Sequence, residues 1–223
     1  MHQKEKNRPV ILITGTSNSL GTSLCKTFHE AGYEIIWIDS YKTEGMPCKK
    51  INFDISRLAD PDDECKTFFS HVEELTNGRL DSLVNNASTR IEKPVESITA
   101  ADWKKALDTN LLAPFWLVMR FLPLLRAAKG SVVNVISIRA AQVKPALTAY
   151  SASEAALISL TRSLAVELGP EIRVNAVMPA ANVTPLPSAD EIAQAAFFLS
   201  GRDARAMTGA IVNVEKGMTS SLT

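Results

Sequence analysis

Short, continuously apolar runs alternate with longer amphipathic segments along almost the whole chain, and this alternation restricts the fold more than any other feature. The runs at residues 10–14, 34–38, 51–53, 82–84, 131–136, 173–177 and 210–214 read as strands. The segments at 19–31, 62–75, 100–109, 113–128, 149–168 and 190–199 carry apolar residues at helical spacing. A strand that is apolar at consecutive positions is buried on both faces, which a parallel sheet between two helical layers provides. Seven such strands with helices between them predict a doubly wound α/β fold with right-handed crossovers. Local punctuation agrees with this reading. Ser188 to Glu191 is a capping box behind Pro185 and Pro187, and Gly169-Pro170 stops the long helix at 149–168. No repeat or linker divides the 223 residues, so 9–223 is expected to be one domain after a polar, basic, flexible tail at 1–8.

Several function classes drop out. Formal net charge is zero, so no long-range field recruits nucleic acid or an anionic membrane. Runs such as 115–119 and 131–138 fall far short of the ~20 apolar residues of a bilayer span, and the tail lacks the apolar core of a secretion signal. Cys25, Cys48 and Cys65 form no close ligand pair, which fits reduced thiols in a cytoplasmic protein. The histidines, His2, His29 and His71, lie in the tail or among polar helical residues. Neither a metal site nor a histidine-based triad has material to build from.

The turn after the first strand carries the first chemical signal. Thr14-Gly15-Thr16-Ser17-Asn18-Ser19-Leu20-Gly21 leaves a strand and opens a helix. In that setting backbone N–H groups and the positive helix end face a pyrophosphate. Gly15 suits the tight turn and Gly21 the close packing of helix on strand. Ser19 stands where backbone approaches phosphate, its Cβ crowding the ligand and its hydroxyl able to donate. Ser17 and Leu20 belong to the same contact set. Asp39 follows the second strand, 24 residues after Gly15. There a carboxylate accepts from ribose hydroxyls and repels a 2′-phosphate, which favours NAD(H) over NADP(H). The competing reading is an ordinary βα turn and a turn aspartate; together, the two features favour the ligand.

Further pieces follow in order: Asp54-Ile55, Asn85-Asn86-Ala87-Ser88, Asn110, Ser137 with Tyr150 13 positions on, Arg173-Val-Asn-Ala-Val-Met-Pro179-Ala180, and Val183-Thr184. With the glycine turn, this series resembles the short-chain dehydrogenase/reductase family over essentially the whole length. The resemblance implies a Rossmann-like sheet and NAD(P)(H)-dependent oxidoreduction of a small-molecule substrate. It implies that Asp54 and Ile55 contact adenine, and that Asn86, Ala87 and Ser88 lie under the cofactor. Pro179, Ala180, Val183 and Thr184 would run along its nicotinamide end. Tyr150 would be the acid/base and a cofactor contact, Ser137 the polarising hydroxyl, and Asn110 the active-site asparagine. By the same analogy the chain forms a homodimer or homotetramer through the helices at 113–128 and 149–168. Phe115, Trp116 and Met119 on one, and Leu157, Leu160 and Leu164 on the other, supply apolar stripes, although an intrachain core gives the same pattern.

The departures from that family bear on activity. Its tyrosine begins Y-x-x-x-K, whereas Tyr150-Ser-Ala-Ser-Glu154 carries glutamate at the lysine position. Positions i and i+4 share a helix face, so Glu154 is expected in the same cleft as Tyr150. A unit charge about 5 Å away at an effective dielectric near 20 is worth roughly 3 kcal/mol, so replacing a cation by an anion swings the phenol by roughly 6 kcal/mol. Tyrosinate becomes scarce and alcohol oxidation, which needs a base, suffers most. A neutral tyrosine still protonates a developing alkoxide, so reduction of a small carbonyl or imine compound is the favoured direction. Arg139 and Lys144, both between Ser137 and Tyr150, are candidate replacement cations. Ser88 and Ala180 stand at family glycine positions, Val214-Glu215-Lys216-Gly217 replaces V-D-G-G, and only Pro185-Leu186-Pro187 separates Thr184 from the cap at Ser188, where many members insert a mobile lid. These losses keep two other readings open: an inactive relative acting as a binding or structural partner, and redox-neutral chemistry in the same cleft.

Overall fold

The computed structural model describes residues 8–15, 18–40, 48–60, 62–180 and 187–217. The elements are β1 (Val10–Thr14), α1 (Ser19–Glu30), β2 (Glu34–Asp39), β3 (Lys49–Asn52), α2 (Asp63–Thr76), β4 (Ser82–Asn85), α3 (Ala100–Leu107), α4 (Ala113–Ala128), β5 (Ser131–Val135), α5 (Thr148–Leu168), β6 (Arg173–Pro179), α6 (Ala189–Ser200) and β7 (Ile211–Val214). The strands form one parallel sheet in the order β3-β2-β1-β4-β5-β6-β7. Burial on both faces is visible within β1 itself. Val10 and Leu12 join the core shared with Phe68, Phe121 and Leu164, while Ile11 and Ile13 join the opposite core with Leu24, Phe28 and Leu199. Helices α2, α4 and α5 thus cover one face, and α1 and α6 the other.

Most boundaries fall within a residue or two of the sequence reading, and the exceptions have physical causes. Strand β2 runs on to Asp39 because that residue still pairs with Asn52 of β3. Strand β6 continues to Pro179, which lies opposite Val214 of β7 and ends the ladder where its missing N–H costs least. The expected break between the helices near 109–113 is instead a π turn, Asp108–Leu112, so helix is continuous from Ala100 to Ala128. That run is long and apolar enough to cross a membrane, yet Leu117, Phe121 and Leu125 of α4 are buried in the core beneath the sheet. The apolar stripe expected on α5 is also core: Leu157 and Leu164 are buried. Arg8, read as the end of a flexible tail, is tied down, its Nε donating to the Gly32 carbonyl at 2.9 Å and its Nη2 to that of Tyr33 at 3.3 Å. The rest of the tail lies outside the described residues.

Candidate active site

Strand order reverses between β1 and β4, and at their carboxyl ends the sheet opens a crevice of the kind in which doubly wound folds bind ligands. Gly15 lies at its floor with φ +70°, its N–H bonded to the Ile38 carbonyl at 3.0 Å. A Cβ on Gly15 would lie 2.3 Å from the Cα of Ala87, so the turn after β1 touches the segment after β4 backbone to backbone. Thr14 Oγ1 locks the approach by accepting from the N–H groups of both Asn86 and Ala87 at 3.1 Å. The Asn86 amide donates to the Gly15 carbonyl, so its side chain braces the turn. Helix α1 is capped by Asn18, whose Oδ1 accepts from the Gly21 N–H at 2.8 Å. Ser19 is exposed in the first turn, Leu20 is half-buried and Gly21 is buried; Ser17 lies outside the described residues.

The crevice, about 270 Å³, is lined by Gly15, Asn18, Asp39, Asp54, Ile55 and Ser88. Asp39 is buried at its wall. Asp54 caps the short helix Ile55–Ala59, accepting from the Ser56 N–H at 3.0 Å and its hydroxyl at 2.8 Å. A glycine floor no side chain can enter, a helix N-terminus and an acid at the end of β2 fit the pyrophosphate and ribose of a dinucleotide.

Beyond Ser88 the cleft turns to a second group of side chains. Helix α5 begins at Thr148, so Tyr150 and Glu154 lie one turn apart on the same buried face. Glu154 is 1% exposed, its Oε1 accepting from Ser88 Oγ at 2.9 Å and its Oε2 from the Ser137 N–H at 2.6 Å. The phenol of Tyr150 lies within the electrostatic reach of Ser137, Ser88 and Glu154. Burial pushes the Glu154 carboxyl above its ordinary value, outweighing the hydrogen bonds that stabilise the anion. Burial likewise pushes the Tyr150 phenol up, with the Glu154 charge second, against the pull of Ser137, Ser88 and Arg90. A carboxyl drawn toward its neutral form repels tyrosinate less than a fixed anion does, and desolvation of the phenol is the larger cause.

Asn110 lies in the π turn between α3 and α4, a distortion that is frequent at functional sites. Its Oδ1 accepts from the Thr89 N–H at 2.7 Å, and its Nδ2 donates to the Thr89 carbonyl at 3.1 Å and to Ser153 Oγ at 2.9 Å. Ser153 in turn donates to the Tyr150 carbonyl at 2.8 Å. Asn110 thus fastens the segment after β4 to the first turn of α5 and positions Tyr150 from behind.

A family model described as short chain dehydrogenase matches residues 9–194. The chain belongs to the short-chain dehydrogenase/reductase family. Protein FixR of Bradyrhizobium diazoefficiens is 34% identical, the match covering 93% of this chain and 86% of that protein. The 3-oxoacyl-[acyl-carrier-protein] reductase FabG of Thermotoga maritima is 28% identical over 94% of this chain and 97% of its own. Among solved structures, a short-chain dehydrogenase/reductase family oxidoreductase from Brucella ovis, in complex with a partially ordered NAD, superposes with a TM-score of 0.82 at 31% identity, covering 93% of this chain and 100% of that one.

Within this short-chain dehydrogenase/reductase, two residues that the sequence presents separately meet in one contact. The Ser88 hydroxyl donates to the Glu154 carboxylate across the cleft. No local pattern links residues 66 positions apart, and only a joint reading of both would have signalled the pair. The two candidate replacement cations lie in different surroundings. Lys144 is exposed beside Val143 and Pro145, and the buried Arg139 donates to the Gln142 carbonyl at 3.2 Å. Arg90, paired with Glu92 at 2.7 Å, is the cation that acts on the phenol, and sequence reasoning missed it. Pro179 ends β6, and Ala180 is buried with its N–H on the Val214 carbonyl at 3.0 Å. Val183, Thr184 and the shortened lid segment up to Leu186 lie outside the described residues.

Proposed function

We propose that this short-chain dehydrogenase/reductase is an NAD(H)-dependent reductase of a small carbonyl or imine compound. The observation that carries the proposal is the placing of Tyr150 beside Glu154, which the Ser88 hydroxyl and the Ser137 N–H hold by hydrogen bonds next to the Gly15 crevice. Gly15, Ser19, Gly21 and the α1 N-terminus would hold the pyrophosphate, with Asp54 and Ile55 at the adenine. Asp39 would accept from the ribose hydroxyls and disfavour a 2′-phosphate. The cofactor, when bound, supplies the hydride. Ser137 Oγ polarises the substrate carbonyl, and Tyr150 donates its phenolic proton to the developing alkoxide. The raised phenol keeps that proton available at neutral pH and works against the reverse direction, which begins from tyrosinate. The NAD in the Brucella ovis relative and the reductase activity in the name of the Thermotoga maritima relative support cofactor and direction.

The same reading includes a cytoplasmic homodimer or homotetramer that binds neither nucleic acid nor membrane. Trp116 and Met119, 40% and 43% exposed on the outer side of α4, give a second copy an apolar surface to cover.

The test is NADH consumption by the purified protein across a broad carbonyl and imine panel, with Tyr150→Phe alongside. Turnover should fall by at least ~100-fold in the variant, the scale of a lost general acid, with NADH affinity changed little. Absence of turnover across the panel, or turnover indifferent to Tyr150→Phe, would leave the binding-partner role in its place.

A further inference from the structure

The edge of the sheet where the strands begin, opposite the Gly15 crevice, holds a second cleft that the proposed reaction does not use. It is about 600 Å³ and is lined by Arg79, Lys129, Arg173, Arg202 and Arg205, with Asp81 as its one acid. We propose that this cleft binds a small phosphate-bearing anion.

The charge distribution is the first argument. Five cations against one carboxylate leave a formal charge of +4 in a chain whose net charge is zero. Asp81 is already engaged, paired with Arg79 and accepting from the Val10 N–H at 2.9 Å. Among the described residues, Lys129, Arg173, Arg202 and Arg205 have no carboxylate partner. A structural explanation accounts for part of this. Helices α1, α4 and α6 all end at the cleft, where Tyr33, Lys129 and Gly201 line it. Each helix end carries roughly −0.5 of a charge, so three of them offset about 1.5 and leave about 2.5 positive. A phosphate ester near neutral pH carries −1.5 to −2, which nearly matches that remainder.

Geometry is the second argument. Arg173 is fixed rather than mobile: its Nη1 and Nη2 donate to the carbonyls of Leu199 at 2.7 Å, Ala204 at 3.2 Å, Ser200 at 3.1 Å and Gly201 at 3.0 Å. It lends the cleft a half-buried positive charge, and its pKa is pulled down by burial as a desolvated cation's must be. Arg202 and Arg205 are exposed at the rim with their guanidinium forks uncommitted, and such forks match phosphate oxygens two at a time. Tyr33 places a half-buried side chain among Asp81, Arg173 and Arg202, adding a hydroxyl donor to the wall. A cleft of this volume falls in the range of small-molecule sites. Because it opens at the amino ends of the strands, its occupant does not compete with a dinucleotide.

Titration calorimetry of the full chain with inorganic phosphate, pyrophosphate and glucose 6-phosphate, against citrate at matched ionic strength, tests the assignment. At least one phosphate compound should bind saturably and more tightly than citrate, with affinity falling as salt rises. Tighter binding of the sugar phosphate would identify a phosphoester as the source, and tighter binding of the inorganic compounds the free anion. The double variant Arg202→Ala/Arg205→Ala, altered only at exposed side chains, should lose at least tenfold in phosphate affinity while NADH binding stays as in the parent. No saturable phosphate binding, equal binding of citrate, or an unchanged affinity in the double variant would overturn the proposal.

Discussion

The two ends of the active-site cleft are built on different physics. At the Gly15 end the constraint is shape: a backbone contact too tight for a Cβ, a left-handed φ and a threonine bridging two strand ends. At the α5 end it is charge: a buried carboxyl held by one hydroxyl and one backbone N–H. At the shape-limited end the Gly15 contact leaves no room for a side chain. At the charge-limited end the Ser88 hydroxyl supplies a donor for the buried acid. A steric contact has no substitute, whereas a buried charge can be re-satisfied by any neighbour that brings the right hydrogen-bonding group.

That contrast can be broken most directly by Gly15→Ala. The added Cβ meets Ala87 backbone at 2.3 Å and φ is +70°, so dinucleotide affinity should fall by more than tenfold. Stability should drop by about 3 kcal/mol from strain and displaced backbone. Fluorescence titration with NADH and urea denaturation read both, and parental values in either would show that this end is not shape-limited. Glu154→Lys reverses the charge but leaves the Ser137 N–H without its acceptor and buries a cation with no acid opposite. It should cost about 3 kcal/mol in urea denaturation. A Lys variant as stable as the parent and faster in alcohol oxidation would show that the site responds to one charge alone.

Glu154→Gln sharpens the comparison through pH. The Glu154 carboxyl is raised in the folded chain above its ordinary 4.5, so between those two values the folded state holds more protons than the unfolded one. Its contribution to stability is full below about 4.5 and is lost as pH rises through the folded value. The parent should therefore lose stability relative to the Gln variant across that window. Parallel profiles in urea denaturation would place the titration on another group. The smallest effect is expected at Asn18→Ala, which removes the α1 cap at the shape-limited end and should cost about 1 kcal/mol. A change below a few tenths would mean water caps the helix equally well.

Legibility differed between these ends for the same reason. The strand–turn–helix with Gly15, and the i, i+4 spacing that brings Tyr150 and Glu154 together, are local and readable from the chain. The Asn110 bridge to Thr89 and Ser153, the Ser88 donor and the influence of Arg90 on the phenol all join segments far apart in sequence. So does the buried chain in which Asn85 donates to Asn134 and Asn134 to Thr161, each at 2.8 Å. Lys144, on the same connection as Ser137 and Tyr150, is exposed, so position along the chain did not by itself bring its charge into the cleft.

The order of apolar runs and amphipathic segments determined the doubly wound sheet, since period and burial are properties that a short stretch carries by itself. Tertiary structure alone decided the protonation tendency of Glu154 and the positive cleft at the far edge. Both depend on how much solvent and which charges surround a group, and in a folded chain those surroundings are assembled from residues that the sequence keeps apart.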